Sequence, residues 1–414
     1  MSYEISQATK DALQTLLDAD KVVQALQFAQ DDQEEIIQRQ MELALIPSPT
    51  FHEEKKAARF LDMFRAEGLE DCRIDAYGNC VGIRRGTGGG KTLLVEGHLD
   101  TVFPMETELK ITRENGVIHC PGIVDDTRGC AVLLSVIRAL NAADIQTKGD
   151  IHFVGTVQEE GMGSLGGMRD YLEHHPEIEA SISVDGPGYH GVTFEATGFK
   201  TYEVNFYGIG GHASGAFGKI ANPLHAAARA VAKISDFQVP TEPRTTFAVT
   251  NFHAGSPASV HAIVPKAQIM FNFRSNSQKE LDKLDKRIFE AIQQACDEET
   301  ARWGKDTITF DYKRYCDVPA GTQDPHSPIV EASVAIANYL GCKEPKLAHG
   351  GSTNCNMAIG AGIPAVCLGD CDYDTNCHTL REHFIEFEAY KGCQQTLLLA
   401  LLCAGTDMQE SILS

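Results

Sequence analysis

The chain has 414 residues, 43% of them hydrophobic and 22% charged, which is the make-up of a globular protein with room for two ordinary domains and not of a disordered one. A formal net charge of −21 argues against nucleic acid or an anionic membrane surface as a partner. The opening residues lack a basic start followed by an apolar run, no stretch of about 18 apolar residues occurs, and the 13 cysteines form no CxxC pair, so a reducing, cytoplasmic setting is expected, without leader, membrane span or disulfide framework.

Residues 10–45 read as helical, with Leu13, Leu16, Leu17, Val22, Val23 and Leu26 at helical spacing until Pro47 and Pro49 break the pattern. A second amphipathic helix, HEEKKAARFLDMFRAEGL, closes at Gly68. Two strand-like runs follow, RIDAYGNCVGIRR and KTLLVEGHLD, joined through glycines 88–90. Next come the helix GCAVLLSVIRALNAAD, the strand DIHFVGTVQEE, a helix from about Gly166 and the strand ASISVD. Such alternation predicts an α/β domain, a mostly parallel sheet with helices on both faces. From residue 192 the order becomes strand, helix, strand, strand, helix, strand, that of a ferredoxin-like unit inserted into the first domain. The expected organisation is a first domain of residues 1–191 and 316–414 interrupted by an inserted domain of residues 192–315.

The polar residues that stand out lie mostly where predicted strands end, the place where open α/β sheets collect function. In EGHLDTV, His98 and Asp100 are two apart in an extended run and point the same way. Asp100 can then orient the imidazole, although a single His-x-Asp is more often a plain strand-end hydrogen bond. In PGIVDDTRG, Asp125 and Asp126 are adjacent in a turn, where one of them can equally be a helix N-cap. In VQEEGMGSLG, Glu159 and Glu160 follow an apolar strand, and two neighbouring carboxylates repel unless a cation or a proton separates their roles. Asp185 ends another strand in SVDGPG, and CHTLREHF places His378 and Glu382 four residues apart, a spacing that shares one face of a helix although the segment need not be helical. Each pattern alone suits a solvated strand end. Together they supply the mixed His, Asp and Glu donors that zinc accepts.

Carried by these ordered motifs, the sequence resembles the di-zinc exopeptidase superfamily of peptidase T, carboxypeptidase G, the aminoacylases and succinyl-diaminopimelate desuccinylase, and most of all its peptidase T-like branch. The resemblance implies a dinuclear zinc exopeptidase of short peptides, with Co²⁺ or Mn²⁺ as possible substitutes. It implies that His98 binds one zinc with Asp100 in support, that Asp125 bridges both and that Glu160 ligates the second. Asp185 and His378 then complete the two sides, and Glu159 is the general base. It implies further that the inserted unit is a lid and dimerisation domain. His212 in GIGGHASG would reach a neighbouring active site, Arg274 in FNFRS would anchor a substrate carboxylate, and the run GGSTNCN, with Gly351 and Asn354, would form a substrate loop. The Asp125–Asp126 peptide is expected to be cis.

The chain departs from the pattern where Asp-Asp-Lys is usual and it carries Thr127, leaving the lysine's role to Arg128 if to any residue. It also carries Asn354 where Thr-Asp-x-Asn is usual, and lacks the Asn that normally precedes Ile-Pro in VHAIVP. An amidohydrolase of N-acyl or N-carbamoyl amino acids is the alternative enzyme, and a metal-free binding protein on the same fold is the alternative from another class.

Overall fold

The computed structural model describes residues 3–188, 191–303, 308–342, 346–348, 350–371 and 375–413. The chain divides into two compact units, Met1–Ala196 with Thr322–Ser414, and Thr197–Gly321. These limits differ by a few residues from the expected 191/192 and 315/316. Gly191–Thr193 pairs with Lys346–Ala348 and with Ala365–Cys371 and so belongs to the first unit, while Thr309–Val318 stays hydrogen-bonded to Gly198–Tyr207 as far as Val318.

The first unit is built on an eight-stranded mixed sheet in the order 70–74, 80–84, 151–156, 93–98, 180–187, 365–371, 191–193, 346–348. The four strands at its centre, Ile151–Thr156, Leu93–His98, Ala180–Pro187 and Ala365–Cys371, run parallel, so their C-terminal ends share one edge. Their residues are apolar without alternation (LLVEGH, IHFVGT), as expected of strands covered on both faces. The helices Thr127–Ala142 and Tyr390–Ala404 are buried around almost their whole circumference, which matches their continuous runs of Leu, Val, Ile, Ala and Cys.

The N-terminal region read as one helical stretch is three helices, Gln7–Leu17, Asp20–Asp31 and Gln33–Ala44. The breaks fall near Asp18 and Asp32 with no Gly or Pro to announce them. The first helix is capped by Ser6, whose side chain accepts from the N–H of Thr9.

The second unit is a four-stranded antiparallel sheet in the order 245–254, 266–275, 198–207, 309–318, with helices Pro223–Ser235 and Gln278–Trp303 packed on it. Alternate residues of Gly198–Tyr207 and Lys266–Ser275 are buried, and Val204, Phe206, Ile269, Phe271 and Phe273 form the core beneath those helices. No helix among the described residues is long and apolar enough to cross a membrane.

Candidate metal centre

At the shared C-terminal edge of the parallel strands, acids and imidazoles converge. His98 ends its strand and is 1% exposed. Its Nδ1 lies 2.9 Å from the main-chain oxygen of Asp100 and 3.5 Å from Asp100 Oδ1. Its Nε2 lies 3.0 Å from Asp125 Oδ1 and 3.8 Å from Asp185 Oδ1. His378 Nε2 lies 2.9 Å from Asp125 Oδ2 and 2.9 Å from Glu160 Oε1. Asp125 therefore shares its two oxygens between two imidazoles brought from distant parts of the chain.

The turn that presents Asp125 is fixed from below. The Asp125–Asp126 peptide is cis. Asp126 is the N-cap of the helix Thr127–Ala142, accepting from the N–H of Gly129 at 2.9 Å, and its other oxygen accepts from the N–H of His98 at 2.8 Å. Gly129 is forced here, because a Cβ would stand 1.9 Å from the carbonyl oxygen of Val184. The spacing of His378 and Glu382 is not helical, since His378 has φ 64° in a loop. Glu382 instead turns inward and accepts from the N–H groups of Gly122, Val124 and Asp125 at 3.0, 2.8 and 3.1 Å. Burial pushes its carboxyl up to about 7 against those bonds.

Asp100 does more than face His98. Its two oxygens accept from the N–H groups of Glu159 and Glu160, each at 3.0 Å, and one also accepts from the Thr50 hydroxyl at 2.9 Å. Asp100 thereby sets the histidine ring through its main-chain oxygen and the start of the Glu159–Glu160 loop through its buried carboxylate. Glu159 is 8% exposed, and its carboxyl makes no hydrogen bond to another described residue. Burial drives it well above the usual carboxylate range, His98 opposes the shift, and the charges of Asp185 and Glu160 add to it. Asp185 is driven up in the same way, first by burial. His98 is lowered by burial, but its bonds to Asp100 and Asp125 outweigh that and hold it well above the ordinary imidazole value. Bonds from Asp125 and Glu160 lift His378 to about 11.

Lys56, on the helix Glu54–Ala66, is the residue that the sequence did not announce. It is 1% exposed, and its ammonium donates to the Thr127 hydroxyl at 2.9 Å. Burial lowers it, while Cys130, Asp126, Asp100 and Glu382 oppose that. Its spacing from Phe60 places it on the apolar stripe of its helix, a signal available in the sequence. The expectation that Arg128 might fill the missing lysine's place is corrected. Its guanidinium donates to the main-chain oxygens of Asp370 and Ala389 and lies over the Phe384 ring at 5.0 Å.

Gly351 and Asn354 of the expected substrate loop both lie among the described residues. Asn354 is 1% exposed and its amide donates to Glu96 Oε2 at 2.8 Å and Thr156 Oγ1 at 2.7 Å. Gly351 forms a parallel bridge with Ala196. His212 and Arg274 belong to the second unit. There His212 is exposed on the short strand Gly211–His212, with Nδ1 accepting from the N–H of Gly215 at 3.2 Å. Arg274 is exposed on Lys266–Ser275, its guanidinium over Phe199 at 4.8 Å.

Two overlapping donor sets, His98 with Asp125 and Glu160, and His98 with Asp126 and Asp185, each bring one donor atom per residue within 4.8 Å of the others. Asp126 is already engaged by two backbone N–H groups, which leaves Asp185 as the available acid of the second set. Carboxylates crowded this closely, with two of them driven toward the protonated form, fit a site made for multivalent cations.

The sequence pattern of the Peptidase family M20/M25/M40 matches residues 94–402. The chain belongs to that family. This M20-family chain is 28% identical to a succinyl-diaminopimelate desuccinylase from Burkholderia ambifaria over 267 residues, covering 59% of this chain and 70% of that protein. Its fold is similar to that of aminopeptidase PepT from Bacillus cereus, with a TM-score of 0.72, 23% identity, and coverage of 89% of this chain and 97% of that one. It is similar as well to a tripeptidase from Staphylococcus aureus, with a TM-score of 0.74, 21% identity, and coverage of 90% and 98%. The M20-family chain is a metal-dependent hydrolase, and the converging acids and histidines are its candidate dinuclear centre.

Proposed function

We propose that this M20-family enzyme is a dinuclear zinc exopeptidase of di- and tripeptides, aminopeptidase-like in action, with Glu159 as general base. The observation that carries the reading is the sharing of Asp125 between the Nε2 atoms of His98 and His378, with the unbonded carboxyl of Glu159 beside them. Residues His98, Asp125 and Asp185 would hold one ion, and Asp125, Glu160 and His378 the other. A bound metal pair supplies Lewis acidity and makes water a better nucleophile near neutral pH. Glu159 takes the proton of that water and returns it to the leaving nitrogen. Asp100 holds His98 and the Glu159 loop in place.

His212 is proposed to serve the oxyanion in the active site of a neighbouring copy, and Arg274 to hold a substrate carboxylate through its planar guanidinium fork. The active form is a homodimer through the lid unit, whose sheet offers the exposed edges 245–254 and 309–318 for pairing. The twelve cysteines whose side chains are described are free thiols, which supports the proposed cytoplasmic setting.

A second reading has its own support: the sequence relative from Burkholderia ambifaria is a desuccinylase, so hydrolysis of N-acyl amino acids is the alternative. The test is one substrate panel. Turnover of di- and tripeptides far above that of N-succinyl and N-acetyl amino acids supports the peptidase, and the reverse order replaces it with the acylase. No turnover of either class after zinc, cobalt or manganese loading, and none in a wider peptide library, would revive a binding role.

A further inference from the structure

The strand Ile151–Thr156 carries a second group of metal-ligand side chains at its other end, where hydrolysis has no use for them. His152 is the second residue of that strand, paired with Ile83 on one side and Leu94 on the other, and it is 3% exposed. It lies four residues before Thr156, roughly 13 Å along the strand from the hydrolytic edge. Its Nδ1 is 2.7 Å from the hydroxyl of Tyr171, which is 1% exposed. His175, the C-cap of the helix Gly166–His174, stacks on Tyr171 with centroids 4.1 Å apart and meets the His152 ring edge-on at 5.6 Å. Glu177 Oε1 is 2.7 Å from His175 Nδ1. One donor atom from each of His152, His175 and Glu177 lies within 4.8 Å of the others.

We propose that His152, His175 and Glu177 form a separate site for one divalent transition-metal ion of the zinc, nickel and copper type. Two imidazoles and one carboxylate select such ions over calcium or magnesium, which prefer all-oxygen shells. The Tyr171 hydroxyl fixes the His152 ring and leaves Nε2, which has no hydrogen-bond partner among the described residues, as the free donor. Burial and the neighbouring His175 push the His152 imidazole down to about 4, so its lone pair is available at neutral pH without displacing a proton. Glu177 supplies the charge that partly offsets that of the ion. An ion here would tie the C-terminal end of the helix Gly166–His174 to the sheet.

The test is equilibrium dialysis of untagged full-length protein against rising free zinc, with zinc per chain counted by elemental mass spectrometry. Wild type is expected to take up one more zinc per chain than His175→Gln or Glu177→Gln, whose side chains lie near the surface. His152→Phe, which keeps the aromatic volume, should lose the same ion. Peptide turnover should match wild type in all three variants. Because the result is a difference between chains with the same hydrolytic centre, it stands whatever that centre binds. Copper(II) added to zinc-loaded wild type should give a resonance with nitrogen hyperfine structure that is absent from His175→Gln. Equal zinc counts in wild type and both surface variants, or a copper signal unchanged by His175→Gln, would overturn the site.

Discussion

His98 and His152 stand on adjacent strands of one sheet and are equally hidden from water, yet their imidazoles are driven in opposite directions. Burial works against the charged ring in both. Around His98, the bonds to Asp100 and Asp125 and the charges of Asp185 and Glu159 reverse the effect. Around His152, a phenol and a second imidazole leave burial in command. The lesson is that depth does not set the character of a buried histidine. The count of acids within hydrogen-bond reach does.

The largest effect expected from breaking this contrast lies among the acids. Glu159→Gln keeps the shape of the side chain but cannot accept a proton, so turnover should fall about 100- to 10,000-fold. Elemental analysis of the same variant should still find two metal ions per hydrolytic centre. Turnover within a few-fold of wild type would remove Glu159 from the role of base.

The next effect belongs to His152. Its folded value, about 4, is below the ordinary 6.5, so on acidification the unfolded chain takes up a proton that the folded chain refuses. The contribution is present in full above the unfolded value and is lost as pH falls through the window between the two, up to about 3 kcal/mol. Urea unfolding of metal-free protein at the two ends of that window should show the loss, and His152→Phe should lack this part of it. A His152→Phe profile that overlays wild type would refute the assignment.

Smaller again is the effect of removing support from the acid-rich end. Asp100→Asn, which removes the carboxylate charge 3.5 Å from His98 Nδ1 and weakens the hold on two backbone N–H groups, should reduce metal affinity or activity about 10- to 100-fold. Competition with a chromophoric chelator measures it, and unchanged affinity together with unchanged turnover would count against a supporting role. The smallest expected change is in the stability of the metal-free protein on His378→Ala, a loss of about 1 kcal/mol, because the ring pairs with Asp125 and Glu160 but is half exposed, so water screens those pairs. The same variant should lose metal. A large drop in the midpoint of metal-free unfolding would show that His378 holds the loop together as well.

Much of this was legible from residue order. Acids and a histidine at the ends of apolar runs marked His98, Glu159, Glu160 and Asp185 as neighbours, because parallel strands put their C-terminal ends at one edge. Helix and strand types followed from periodicity, and so did the β-α-β-β-α-β order of the second unit. The breaks at Asp18 and Asp32 were hidden because no glycine or proline marks them. The His378–Glu382 spacing suggested a helical face, and the left-handed backbone at His378 made a loop of it. Pattern alone placed Asn354 in a substrate loop and could not show that its amide donates to Glu96. Lys56 escaped because a cation on an apolar helix stripe is understood only once its partner is known.

That ammonium also bears on how relatives of this chain are compared. Where the resembling superfamily carries lysine directly after the paired aspartates, this chain has Thr127, whose hydroxyl accepts from the Lys56 ammonium on a helix some seventy positions earlier. Column-by-column alignment would score the motif as damaged, although the electrostatic ingredient is present. The two placements should be interchangeable. Moving the charge by combining Lys56→Met with Thr127→Lys would keep one cation behind the turn, whereas Thr127→Lys alone would force two into a space lined for one. Homologues could therefore trade the lysine between these two addresses, and a search for paired changes at them would find chains that motif filters discard.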